Sequence, residues 1–366
     1  MATALHYLSK IFRIGDAHRS VLLRYAVIAV TVGAISFAYA LAAGWVEWPA
    51  RHAPLSAKDM VDAFEANTGR HPGFRRNHAK GICVSGHFES TGAGEALSHA
   101  SVFSKGVVPV VGRFSVPGTN PTVGDGESRL RSLALRFALR DGKEWRTAMN
   151  SAPIFPVRTP EDFLAQLKAT RVEKSTGKPD PVQVAAFDAK HPESRAFRVW
   201  TRNHPPSSGF DNAAYYSVNA FRFIDASGSV HYVRWHMAPE TPYQPVAGRA
   251  RRDPDFLAHQ LVTHLEQRPA RWHLMLTVAR PGDVVDDATQ LWPQTHDHER
   301  IDAGTLVIDS AQTQIDGPCR DIEFDPLVLP AGIEPSADPL LAARSATYTE
   351  SFYRRTSEEV FFASKR

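Results

Sequence analysis

The sequence predicts an α+β protein: an antiparallel β-barrel or strongly curved sheet with helices around it, preceded by one N-terminal transmembrane helix. Three observations lead there. Short runs of β-branched or alternating apolar residues recur after residue 80, separated by turn residues. Helical patterns interrupt these runs in a few patches instead of alternating with them, which argues against a parallel sheet of βαβ units. Residues 25–46 carry no charge. A helix over that run would extend about 33 Å at 1.5 Å per residue, enough to cross a hydrocarbon core about 30 Å thick.

Composition narrows the functional classes. The chain has 366 residues, 43% hydrophobic and 22% charged, so it is too apolar for disorder and long enough for an ordinary core. Its two cysteines are too few for a disulfide framework or a Cys-based zinc site. The net charge of +3 sits in residues 1–24, where Lys10, Arg13, Arg19 and Arg24 face Asp16 alone. Setting these aside from 42 Lys+Arg and 39 Asp+Glu leaves 38 of each. The body is neutral, and no nucleic-acid partner is expected. A cationic flank before the apolar run places the N-terminus in the cytoplasm and the body across the membrane, with Tyr25, Trp45 and Trp48 as interfacial aromatics. A cleaved signal peptide competes, because residues 38–40 and 40–42 both read A-x-A. Its apolar core would exceed the usual length of about 7–15 residues, which favours a retained single-pass anchor in the inner membrane over a soluble periplasmic protein. Both readings export the body.

Residues 1–24 form a basic cytoplasmic segment, 25–46 the membrane helix, 47–55 a linker and 56–366 one domain. Ser56 caps a helix with Met60, Val61 and Phe64 on one face and Gly69 as its stop. Strands are expected over 83–90, 107–116, 130–140 and 273–278. Residues 221–224 and 230–237 form a hairpin around the turn 225–228. Helices are expected over 161–170, 254–266 and 339–355, the last with Asp338 as N-cap and Pro339 at its first position.

Few residues announce chemistry by type and spacing. There is no phosphate-binding glycine loop after a strand, and HExxH and GxSxG are absent. His296 and His298 beside Asp297 and Glu299 could be a metal site, although a solvated loop explains them better. Cys83 and Cys319 could pair in an oxidising compartment, although Cys83 falls in a buried strand, which speaks against it. On the last helix Arg344, Tyr348, Phe352 and Arg355 share a face. A guanidinium one turn from a phenol favours the phenolate, a hard ligand for ferric iron. A core tyrosine flanked by snorkelling arginines gives the same spacing, and spacing alone favours that plainer reading. His78, in a basic cluster running into a strand, reads by itself as a structural histidine.

Taken together, however, five segments resemble the haem catalases, in the family's order. RRNHAKGICVSGHFEST (75–91) is similar to the distal segment, and GIEPSADPLLAARSATY (332–348) to the proximal one with its R-x-x-x-Y. Between them lie GRFSV (112–116), MNSAPIFPVRTPEDF (149–163) and TQLWPQTHDHERIDAGTLVID (289–309). The long N-terminal arm and C-terminal helical region of full-length catalases have no counterpart, and the shortened form resembles the membrane-anchored catalase-related peroxidases.

The resemblance implies a haem-catalase barrel holding haem b, and assigns roles by position. Tyr348 matches the axial iron ligand and Arg344 the guanidinium that stabilises its phenolate. His78 matches the distal histidine that moves the peroxide proton, Asn150 the amide that orients peroxide, and Ser115 the hydroxyl that fixes the imidazole tautomer. Arg75, Arg113 and Arg355 match the arginines that pair with haem propionates. Phe155 and Phe163 match aromatics near the haem. The implied activity is a peroxidase that reduces hydrogen peroxide or organic peroxides with a small organic electron donor, in the response to oxidative stress. Rearrangement of fatty-acid hydroperoxides and haem binding without turnover are the alternatives. Three departures stand out. Asn77 replaces the family's valine, Pro156 a second phenylalanine, and Arg129, on gap-free alignment, an aspartate of the substrate channel. They point to an entrance less specialised for hydrogen peroxide and to weak catalase activity at most.

Overall fold

The computed structural model describes residues 25–37, 39–40, 55–173, 175–248, 252–292 and 298–363. The chain divides into two units, residues 1–54 and 55–366. In the first, residues 25–37 and 39–40 are helical, and the rest of the expected span lies outside the described residues. Among the described residues no helix is long and apolar enough to cross a membrane.

The second unit opens on helix α1 (Ala57–Thr68). Ser56 caps it as expected: its Oγ accepts from Asp59 N–H while Asp59 accepts from the Ser56 backbone, which satisfies two otherwise orphaned donors. Gly69 ends it at φ +89°, a conformation open to glycine. Strands β1 (Gly81–Ser90), β2 (Gly106–Ser115), β3 (Ser132–Ala138) and β4 (Glu144–Asn150) form an antiparallel meander. Helices α2 (Pro160–Ala169), α3 (Pro181–Lys190) and α4 (Ser194–Asn203) come after it. Next come β5 (Tyr215–Tyr216), β6 (Phe221–Ile224), β7 (Val230–Pro239), α5 (Phe256–Gln267), β8 (Ala270–Val278), β9 (Arg300–Thr313), β10 (Ile333–Pro335) and α6 (Pro339–Ala363).

The sheet runs β10-β6-β7-β5-β4-β3-β2-β1-β9-β8, and β8 pairs back onto β7. That closure makes an eight-stranded antiparallel barrel, which leaves no free edge around the ring. Alternate residues point inward, and the interior is filled by large aromatics. Phe88, Phe103, Phe114, Phe137, Trp145, Tyr215 and Trp272 are all fully buried. Phe114 stacks on Phe210 at 5.0 Å between centroids and Phe137 on Trp145 at 4.8 Å. The barrel interior is thus a core of large, closely packed side chains.

Two expectations are corrected by the fold. Cys83 and Cys319 are joined by a disulfide, with Cα atoms 5.3 Å apart across 236 residues of sequence. Burial of a cysteine in a strand does not oppose pairing when the partner is buried against it. His298 is not in a solvated loop: it is buried, stacked on Trp292 and hydrogen-bonded through Nε2 to Asp283 at 2.8 Å. His296 lies outside the described residues.

Candidate active site

The outer faces of β2, β3 and β4 form one wall of a cavity. Register places Arg113, Ala134 and Ala148 in one row and Ser115, Ser132 and Asn150 in the next. These residues have the parity opposite to Phe114, Leu133 and Met149, which point into the barrel. Apart from Arg113 and Asn150 these exterior positions are small where strands usually carry long polar side chains, and the space they leave is the cavity. Its empty volume is about 1320 Å³, counting the part open to solvent. Helix α6 supplies Arg344, Tyr348, Phe352 and Arg355 to its lining, and α1 supplies Met60 and Phe64. All ten residues singled out from the sequence line this one cavity: Arg75, His78, Arg113, Ser115, Asn150, Phe155, Phe163, Arg344, Tyr348 and Arg355. Met60 and Phe64 were legible only as the apolar face of a helix.

His78 stands in the turn before β1 with φ +55°. Among the described residues it and Val218 are the non-glycine residues with positive φ, and both line the cavity. Such a backbone is sterically costly and persists only where the surroundings enforce it. Asn77 enforces it, its Oδ1 accepting from His78 N–H at 2.9 Å and from Gly118 N–H at 3.1 Å. The neighbouring Ala79 N–H donates to Gly118 C=O at 2.9 Å. Asn77, expected at the entrance, therefore lines the cavity and also holds the turn that presents His78. Ser115 Oγ lies 3.5 Å from His78 Nδ1, the long end of a hydrogen bond. Burial, then repulsion from Arg113, Arg344 and Arg75, lowers the imidazole from its ordinary 6.5 to about 3. It is therefore a neutral base. Asn150 Oδ1 accepts from Ser132 Oγ at 2.6 Å, which leaves the amide nitrogen as the end it can offer a ligand.

Helix α6 is fixed by its N-terminal turns. Asp338 Oδ1 accepts from Leu340 N–H at 2.9 Å, the predicted cap. Asp338 Oδ2 accepts from Asn219 at 2.8 Å, and Asn219 Oδ1 accepts from Arg344 at 2.5 Å. Arg344 also donates to Ala148 C=O on β4 at 2.9 Å. This chain of bonds sets the rotation of the helix and so the direction of Tyr348 one turn later.

The guanidinium groups show what the cavity is built to hold. Arg113 is buried, donating to Ala79 C=O and Gln314 Oε1, and its Nε has no hydrogen-bond partner. Gly81 makes room for it, since a Cβ there would stand 2.6 Å from the Arg113 Cζ. Arg75 donates to the carbonyls of Cys319, Arg320 and Ile322. Among the described residues their hydrogen bonds go to carbonyls and to an amide oxygen, not to a carboxylate. Burial, and repulsion by Arg355, lower Arg75 from 12.5 to about 9. Burial, then Arg75 and Arg355, push Arg113 down as well. A guanidinium does not give up its proton in practice, so these shifts register positive charge that nearby Asp321 and Tyr348 offset only in part, which is costly in a buried site. Arg355, also buried, stacks on Phe352 at 5.1 Å. An apolar cavity ringed by such groups suits a flat, largely apolar ligand bearing carboxylates.

The aromatics close another part of the wall. Phe155 and Phe163 lie 5.3 Å apart, and Phe64 of α1 meets Phe163 edge-on at 6.1 Å. Arg129, expected in a channel, is exposed, donates to Thr201 C=O of α4 at 2.6 Å and is absent from the cavity lining.

The catalase family model matches residues 59–361. A catalase-related peroxidase of Synechococcus elongatus is 35% identical over 304 residues, covering 82% of this chain and 89% of the relative. A catalase-related peroxidase of Mycolicibacterium paratuberculosis is 32% identical over 306 residues, covering 82% and 95%. Among solved structures, catalase A of Saccharomyces cerevisiae superposes with a TM-score of 0.70 at 19% identity, covering 84% of this chain and 67% of that one.

Proposed function

The chain belongs to the catalase family, and from that premise we propose that it is a haem b-dependent peroxidase that reduces hydrogen peroxide or organic peroxides at the expense of an organic donor, with at most weak catalase activity. The observation that carries this is the convergence on one cavity of His78, Asn150 and Tyr348 with the guanidinium groups of Arg75 and Arg113, whose hydrogen bonds go to carbonyl oxygens and to Gln314. Haem fits that charge pattern, since its propionates would meet Arg75, Arg113 and Arg355. Both cysteines are used in the disulfide, so neither is free for a thioether to the haem, which favours haem b.

When bound, haem supplies redox-active iron that takes up the oxidising equivalents of peroxide and passes them to the donor. The rest is the protein's work. Tyr348 would hold the iron through its phenolate oxygen, with the Arg344 guanidinium stabilising that charge. His78, neutral through burial, would take the proton from the inner peroxide oxygen and return it to the outer one, so that water leaves. Ser115 orients the imidazole, and Asn150 donates an amide N–H to peroxide. Phe64, Phe155 and Phe163 keep water from that side of the cavity.

The test of function is a steady-state comparison by the haem-loaded chain. Dismutation of hydrogen peroxide is measured against oxidation of an organic dye driven by hydrogen peroxide and by a bulkier alkyl hydroperoxide. Dye oxidation with both peroxides should exceed dismutation. Isomerised product without donor consumption would point to rearrangement of fatty-acid hydroperoxides, and no turnover to a haem-binding protein. The pH profile has a sign of its own. Burial is the largest cause of the low imidazole value, and bound haem would bury His78 further. The base form should therefore persist as pH falls well below 6.5, and kcat/KM for peroxide should stay flat from pH 8 to 5. An acid limb near 6.5 would mean an unperturbed imidazole.

For location, we propose an inner-membrane anchor at residues 25–46 with the enzyme on the extracytoplasmic side. The uncharged run and its basic flank support this, as does a disulfide, which persists in oxidising compartments. Mass spectrometry of the mature N-terminus separates it from a cleaved signal peptide.

A further inference from the structure

The Cys83–Cys319 disulfide ties the third residue of β1 to the connection after β9. Both residues have no solvent exposure, and Cys319 N–H points at Cys83 Sγ at 3.2 Å. The stretch after Cys319 has neither helix nor strand, so no ladder of hydrogen bonds fixes it. Yet the carbonyls of Cys319, Arg320 and Ile322 accept from one Arg75 nitrogen at 2.9, 3.3 and 2.9 Å. Ile322 and Phe324 line the cavity, and the Arg75 guanidinium lies 5.9 Å from the Phe324 ring centroid. Cys83, Cys319, Ile322 and Phe324 form a separate buried cluster, and Tyr348 packs against it. On the barrel side Cys83 sits opposite Arg113 in the β1–β2 register.

We propose that the Cys83–Cys319 disulfide is a positioning element of the haem site: it fixes residues 319–324, and through them Arg75 and Tyr348, so that haem retention depends on the bond being intact. The proposal rests on the haem reading of the cavity. Its physical basis is close packing. Two thiols cannot sit at bonding distance, and a buried cluster has no slack to absorb their separation, so the segment that carries Arg75's acceptors must shift. Reduction by a water-soluble phosphine balances in atoms and electrons. The phosphine takes the oxygen of water and becomes its oxide, two electrons cleave the S–S bond, and the two protons of that water end on the two thiols.

The experiment uses the full chain loaded with haem. Haem transfer to excess apomyoglobin is timed well below the unfolding temperature for the intact protein, for the phosphine-reduced protein with free thiols confirmed by alkylation and mass, and for C83A/C319A. Visible spectra of the ferric forms are recorded alongside. Both disulfide-free forms should release haem about tenfold faster or more, the effect of losing a single charge-assisted hydrogen bond, with altered spectra. Leu276→Ala, a barrel-interior change away from the cavity, is the control for general destabilisation. It should lower the melting temperature and leave haem transfer unchanged. If C83A/C319A does not fold, the reduced holoprotein carries the test. Equal release from oxidised and reduced protein would overturn the proposal, as would equal acceleration by Leu276→Ala. Failure of the wild-type chain to take up haem would instead overturn the reading of the cavity.

Discussion

His78→Ala should lower the rate of peroxide consumption by the haem-loaded chain about 10²–10⁴-fold, the usual contribution of a positioned acid–base group. Haem content should be unchanged, because on the proposed reading His78 would meet peroxide and not the groups that would hold haem. The magnitude is large because no second imidazole lines the cavity among the described residues. The Asn150 oxygen is engaged by Ser132, and the Glu323 carboxylate, which also lines the cavity, accepts from Thr349. Stopped-flow measurement of peroxide consumption with parallel haem quantification checks this. Unchanged activity would remove His78 from the reaction.

The second large effect concerns Tyr348. Tyr348→Phe keeps the ring that packs on the Cys83, Cys319, Ile322 and Phe324 cluster and removes the oxygen alone. Fold stability should therefore be retained. Haem affinity should fall by more than the about 10–100-fold typical of a partner one shell beyond a metal ligand, and the iron–phenolate absorption should vanish. Arg344→Ala should shift that absorption without abolishing it, since the guanidinium bonds to Asn219 and Ala148 and would act on bound iron only through Tyr348. Haem titration followed by visible absorption distinguishes the two.

How much of this was legible in the sequence depended on whether a pattern was local. Strands β1, β2, β7 and β8 announced themselves through alternation, and α1 and α6 through their caps. Strand β4 did not, because its outer face carries Ala148 where an exposed strand would carry charge, and the alternation is blurred. That same small residue is what opens the cavity. Strand β9 includes Gly304, and its pairing with both neighbours shifts register, which breaks the period on which strand recognition depends. Helices α3 and α4 were also missed. The site residues were legible as motifs in a family order, whereas spacing alone had favoured plainer roles for His78 and Tyr348. The disulfide could not be read at all, since it requires register across 236 residues of sequence. Asn77 was noticed as a departure, but its bonds to His78 and Gly118 depend on a left-handed turn that composition does not reveal.

The central claim is that this cavity binds haem through Tyr348, and one titration tests it most directly. Purified full-length apoprotein is titrated with ferric haem while visible absorption is recorded, for the wild type and for Tyr348→Phe. One haem per chain with a phenolate-type spectrum in the wild type, lost in the variant, is the expected result. Saturation at the same stoichiometry with the same spectrum in both proteins would contradict it.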